Sequence, residues 1–407
     1  MRSHLCVAAL TLAACSIARA AITVPGANGS DGALNVVAGT TTIDLSLAPS
    51  AAWDSVSAAP GKGVYDGSKW AVVFHYTSVN IATGATVAFK NNASRAPVVW
   101  LVDGDVTING TLDLNGGAFS TSAPLSEPGP GGFGGGKPVL TTGAFAGQNG
   151  PGWGLGGGGK GFNSAGYNGV GAGVLPGQAY GSAQLLPLIG GSGAGGTYSA
   201  GGAGGGAILI AATGTINVGG TVHANGGAGS GSGGAAGSSS GSGGAIRLVA
   251  DTVTGSGTVT ALGGTVGYVG ATGRIRIEGN TVGAALSTNP LPSAARPASP
   301  VTVWLPDTAP AVRIVSVGGQ PAPADPQGQL NAAADTLPDI QAATLAVVIE
   351  TRNVALTSQV NVHVTPLVGD AATVAATYAS GNASLATWTA NISLPPGSSG
   401  LQVRVEP

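Results

Sequence analysis

Val98–Gly117 reads VVWLVDGDVTINGTLDLNGG, Gly206–Gly227 reads GAILIAATGTINVGGTVHANGG, and Gly244–Gly264 reads GAIRLVADTVTGSGTVTALGG. Each is a β-rich run, a turn, a short β segment, a second turn and another short segment closing on Gly-Gly. A fourth copy begins at Thr272–Glu278 (TGRIRIE). A unit of this size, recurring with insertions of variable length, is the mark of a stacked repeat. In Gly220–Ala224 (GTVHA), Val222 and Ala224 share one face and His223 takes the other. Three short strands per turn, with small residues inside, predict one coil of a Gly-rich, right-handed parallel β-helix rising about 4.8 Å per coil. The Gly and Asn at the corners are expected to supply left-handed backbone for the bends.

Working outward, the 407 residues have room for two or three domains, and 73 of them are Gly. Only 8% are charged and the formal net charge is −2, with no Lys/Arg cluster to neutralise phosphates, which argues against nucleic acid as a partner. Residues 1–20 read as a secretion signal: Arg2, an apolar core Leu5–Ile17, then the small-x-small site Ala18-Arg19-Ala20. Leu12-Ala13-Ala14-Cys15 also spells a lipoprotein box, so Cys15 is the alternative lipidation site. The predicted location is thus secreted or on a bacterial cell surface, lipid-anchored at the outer membrane if Cys15 is acylated. Cys6 and Cys15 are the only cysteines, so a chain cleaved after Ala20 carries no disulfide and takes its stability from burial and backbone hydrogen bonds. No later segment offers about twenty apolar residues in a row, so no transmembrane span is expected.

The predicted organisation is all-β: an N-terminal β cap over 21–96, the β-helix over 97–285, a Pro/Ser/Ala linker over 286–300, and a small β-sandwich over 301–407. The cap is inferred from its aromatics, Trp53, Tyr65, Trp70, Phe74, Tyr76 and Phe89. Within the β-helix, the long insertion 120–205 and the Gly/Ser/Ala run Ala228–Gly243 read by composition as flexible loops projecting from one corner. Packed polyproline-II strands are a further option for the long insertion, although no strict triplet period supports them. After the linker, turn signals separate six or seven strands in about a hundred residues, the spacing of an immunoglobulin-like or fibronectin-III-like sandwich.

The Gly-Gly-Ala-Ile-x-Leu openings, Gly-Thr-Val cores and Asn-Gly-Gly closures resemble the Gly-rich β-helical exoproteins of environmental bacteria, and Ser94–Gly110 (SRAPVVWLVDGDVTING) resembles the lead-in to that region. The resemblance spans about residues 60–280. The C-terminal part is similar to Ig-like modules appended to bacterial surface proteins. What this implies is a surface setting, with adhesins and polysaccharide-active β-helices as neighbours; it carries over no catalytic motif.

Asp103, Asp105 and Asp113 are the candidate acids, since paired carboxylates on a β-helix flank can serve sugar hydrolysis or a lyase; Asp103-Gly104-Asp105 equally suits a solvated turn. His223 falls in the column of Asp113 and Thr260, so Asp113 and His223 become neighbours if their coils stack directly. Trp153, Tyr167 and Tyr180 are the candidate ligand contacts, by stacking on sugar rings, or else they pack the insertion onto the helix flank. Gly154–Gly161 (GLGGGGKG) lacks the Ser/Thr after Lys that a phosphate-binding loop needs. Calcium-binding nonapeptides lack their Asp, and His75, His223 and His363 are far apart in sequence, so no metal and no cofactor are expected. Ice binding by a flat Thr face is disfavoured by mixed columns. A lyase would also need a cation beside its acids, which makes the partners of Arg247, Arg274 and Arg276 the deciding feature. The expected function is non-catalytic: a spacer or adhesin whose partner is polysaccharide or another surface component. A β-helix lyase or glycoside hydrolase is the alternative, and the oligomeric state is left open.

Overall fold

Short apolar or alternating strands, broken at most corners by Gly or Asn, leave the chain one economical way to bury its apolar side chains: wind and stack. The computed structural model describes residues 22–119, 125–139, 147–230, 239–322, 343–395 and 398–406. Within them the chain is all-β, with three stacked sheets whose helical part runs parallel, a β-helix-like arrangement. Each coil contributes one strand to each sheet in turn. The first sheet holds Ala71–Tyr76, Val98–Val102, Ala207–Ala212, Ala245–Val249 and Arg274–Glu278 as successive parallel neighbours. The second sheet runs through Ser78–Ile81, Val106–Ile108, Thr215–Val218 and Thr252–Thr254, and the third through Ala85–Lys90, Thr111–Asp113, Thr221–His223 and Thr258–Thr260.

The register is set by the repeat. Ile210 pairs Trp100 and Leu248, Ile216 pairs Val106 and Val253, and Val222 pairs Leu112 and Val259, so like positions stack from coil to coil. These columns form one fully buried core. Its N-terminal end is aromatic: Phe74 stacks on Tyr76 at 5.6 Å, and Tyr76 meets Trp100 edge-on at 5.6 Å. Later coils fill the same columns with Ile, Leu and Val.

Three sequence expectations need correction. The region read as a cap already belongs to the stack: Ala33–Val36 pairs parallel with Ser78–Ile81, and Gly39–Asp44 with Ala85–Lys90. The presumed linker likewise adds strands, with Ser287–Asn289 extending the third sheet and Ser293–Ala295 the first. Backbone pairing does not need a recognisable repeat, which is why degenerate terminal coils escape a motif search. Third, certain corner glycines, Gly39, Gly84, Gly104 and Gly255 among them, do take left-handed backbone, but Asn115, Asn225 and Gly220 do not. Asn115 Oδ1 instead accepts from the Asn225 amide at 2.7 Å, and Asn225 Oδ1 from the Leu262 amide at 2.8 Å. At Gly220 the requirement is close approach, since a Cβ there would stand 2.0 Å from the Gly110 carbonyl oxygen.

The Gly-rich excursions all leave the end of the third sheet and return to the start of the first. Their described residues do not project as loops. Extended segments without strand assignment bond to one another: Gly193 donates to Trp153 O at 2.9 Å, Ala194 to Gly202 O at 3.0 Å, Gly202 to Ser239 O at 2.9 Å and Gly241 to Gly227 O at 3.0 Å. A Cβ at Gly135, Gly193 or Gly204 would lie within 1.8–1.9 Å of a neighbouring carbonyl oxygen. Only glycine permits backbones to pack this closely, as in the triple helix of collagen. The outer face of the first sheet is covered as well. Ile22 and Val24 lie beside Val301 and Val303, joined by Val301 N to Thr23 O at 2.8 Å, over Val73, Val99 and Leu209.

Beyond residue 310 the strands turn antiparallel. Ala343–Arg352 pairs with Ala311–Val317 and Leu385–Leu394, while Gln359–Pro366 pairs with Ala372–Ala375 and Ser399–Glu406. The two sheets share a core around Val347, Ile349, Val362, Trp388 and Ile392.

Candidate functional site

Asp103 and Asp105 stand exposed at the corner between the first and second sheets, where Gly104 has φ +152. Asp105 Oδ1 accepts from the Thr215 amide of the next coil at 2.7 Å, and Asp103 Oδ1 lies 3.5 Å from Thr213 Oγ1. Both therefore tie one coil to the next. Asp113 sits past the next corner, within the third sheet, so the three acids seen together in sequence are split between faces.

Asp113 does meet His223. The long excursion leaves and re-enters at the same corner, which makes the two coils direct neighbours with Asp113 and His223 in register. His223 Nε2 approaches Asp113 Oδ1 to 3.4 Å without forming a hydrogen bond. Asp113 Oδ1 also accepts from the Asn115 amide at 2.9 Å. Thr260 continues the column, in which Asp113 is partly exposed and His223 Nε2 is buried.

The cations lie elsewhere. Arg247 and Arg276 are register partners on the outer face of the first sheet, and both bond Glu278: Arg247 Nε and Arg276 Nε reach Oε1 at 2.9 and 2.7 Å. Arg247 is only 2% exposed, and burial pushes its guanidinium below the ordinary range while Glu278 opposes the shift. Arg274 donates to Tyr180 O at 3.1 Å and sits 5.8 Å above the Tyr167 ring.

Trp153, Tyr167 and Tyr180 are all buried. Tyr167 and Tyr180 meet edge-on at 4.4 Å, and their hydroxyls donate to Ile189 O at 2.9 Å and Gly190 O at 2.5 Å. Burial pushes both phenols above their ordinary range. The two tyrosines pack against Ala207 and Ala245 of the coils and Trp153 lies beside Gly400, so none presents an open face to a sugar. Cys15 lies outside the described residues.

Sequence reasoning missed a concavity over the first sheet. A pocket of about 180 Å³ opens over the first sheet between Leu185–Leu188 and Val303–Leu305, with Arg247 in its wall. The available signal was the single cation inside the apolar strand AIRLV. Among the described residues no group of three or more His, Cys, Asp or Glu is placed to hold a metal ion, and no helix is long and apolar enough to cross a membrane. The chain matches no known protein family, no curated protein and no solved structure.

Proposed function

We propose that this chain is a secreted, non-catalytic surface or matrix protein: a right-handed, Gly-rich β-helix serving as spacer or adhesive stalk, with an immunoglobulin-like sandwich attached, and polysaccharide or another surface component as partner. The resemblance to Gly-rich bacterial exoproteins and the signal-like residues 1–20 motivate the setting. One observation carries the reading. Most of the side chains with chemical potential take part in holding the scaffold: Asp105 on the next coil's Thr215 amide, Arg247 and Arg276 on Glu278, and the two tyrosine hydroxyls on backbone carbonyls. A lyase needs an unengaged cation beside its acids, and here the arginines and the aspartates occupy different faces.

The Asp113–His223 contact at 3.4 Å keeps a hydrolytic reading worth testing, because a carboxylate beside an imidazole is a proton-transfer pair. The purified chain is incubated with acidic and neutral polysaccharides, recording retained protein and newly formed chain ends in one assay. Retention without new ends is expected. New ends that vanish on Asp113→Asn or Asp105→Asn would establish an enzyme, and neither signal would leave a spacer without adhesive function.

A further inference from the structure

Arg247 is buried at 2% exposure on an otherwise apolar strand, and it is only half satisfied. Its Nε and Nη2 both point to Glu278 Oε1, at 2.9 and 2.8 Å. Its Nη1 is buried with no hydrogen-bond partner. A guanidinium carries five N–H donors and no acceptor, so a bare Nη1 leaves two donors unused. Buried donors are almost always paired, and one left unpaired calls for a reason. The charge count points the same way. Arg247 and Arg276 share one carboxylate, Glu278, which leaves one positive charge in the wall without an anion. Lys69, exposed at the rim, adds another.

The pocket beside Arg247 selects what can answer that charge. Ala71, Val99, Leu188, Leu209 and Trp304 supply apolar walls, and the volume is about 180 Å³. At roughly 30 Å³ per water this is room for about six waters, or for one small organic molecule. Apolar walls suit a hydrocarbon or aryl body and offer little to the many hydroxyls of a sugar. A planar guanidinium edge suits a carboxylate. Leu185, on the pocket margin, holds a left-handed backbone with φ +53, a conformation that bulky side chains avoid and that tends to collect where a site is shaped.

We propose that this pocket binds a small carboxylic acid with an apolar body, its carboxylate drawn by the half-satisfied charge of Arg247 in the wall and by Lys69, and its hydrocarbon against Trp304 and Leu209. This proposal does not rest on the spacer reading.

Phenylacetate and hexanoate are titrated into the full chain by calorimetry and by tryptophan fluorescence, beside the neutral phenylacetamide and hexanamide. The expected result is saturable one-to-one binding of the acids, at least tenfold weaker binding of the amides, and loss of acid binding in Ala71→Leu, which fills the pocket and leaves the ion triad intact. Should Ala71→Leu fail to fold, Trp304→Phe decides: heat retained with the fluorescence response lost supports the site. A response that survives Trp304→Phe, equal binding of acids and amides, binding unaffected by Ala71→Leu, or no binding at millimolar acid would each overturn the proposal.

Discussion

Asn225 shows how single polar side chains serve the stack. Its amide is held by Asn115 and its own Oδ1 holds the Leu262 amide, so each Asn satisfies the coil that follows it. The ladder stops at Leu262 because leucine has no acceptor to pass on. Asn225→Ala leaves the Leu262 amide without its partner and is predicted to cost about 1–3 kcal/mol, read as a lower midpoint in denaturant. His363 sets a second prediction. Burial, assisted by the Arg404 cation, holds its imidazole below the ordinary value. As pH falls the unfolded chain takes up this proton first, near about 6.5, so stability is full above that pH and declines below it. The sandwich is predicted to melt at lower temperature at pH 5 than at pH 7.5, and His363→Gln to flatten that difference. An unchanged pH profile in the variant would contradict the assignment.

The Gly-rich excursions carry the clearest expectation among the elements. A Cβ at Gly135 would meet the Gly201 carbonyl oxygen at 1.8 Å, whereas one at Gly169 meets nothing within 4 Å. Gly135→Ala is therefore predicted to destabilise by about 3 kcal/mol or more, with Gly169→Ala close to neutral; thermal melts of the pair decide it. This element also marks where sequence legibility ends. Strands over Val106–Ile108, Thr215–Val218 and Thr221–His223 were readable because side-chain alternation writes itself into the sequence. Gly-to-Gly packing writes nothing but composition, and composition alone reads as a loop. The same limit applied to the site. The Asp113–His223 column followed from aligning the repeat copies. The pocket did not, because Leu185–Leu188 and Val303–Leu305 are brought together by an excursion and a terminal segment with no shared motif.

At the scale of the molecule, the excursion bundle joins the stack to the sandwich. Gly369 N donates to Asn149 O at 2.9 Å, Lys160 pairs with Asp370 at 2.9 Å, and Arg404 donates to Ala179 O at 3.3 Å. Trp153 fills the joint, and a Cβ at Gly400 would stand 2.4 Å from its ring. Gly400→Val is predicted to displace Trp153 and to lower the sandwich transition in calorimetry while leaving the transition of the coils in place. The proposed spacer role requires stiffness along the whole length, and the glycine-rich mass contributes to it as part of the ordered scaffold. Amide hydrogen exchange over residues 190–206 tests this most directly, because the Gly193, Ala194 and Gly202 amides all donate to carbonyls of neighbouring segments. Protection matching that of Ala207–Ala212 in the first sheet is the predicted result. Exchange at the rate of an unstructured chain would contradict the account.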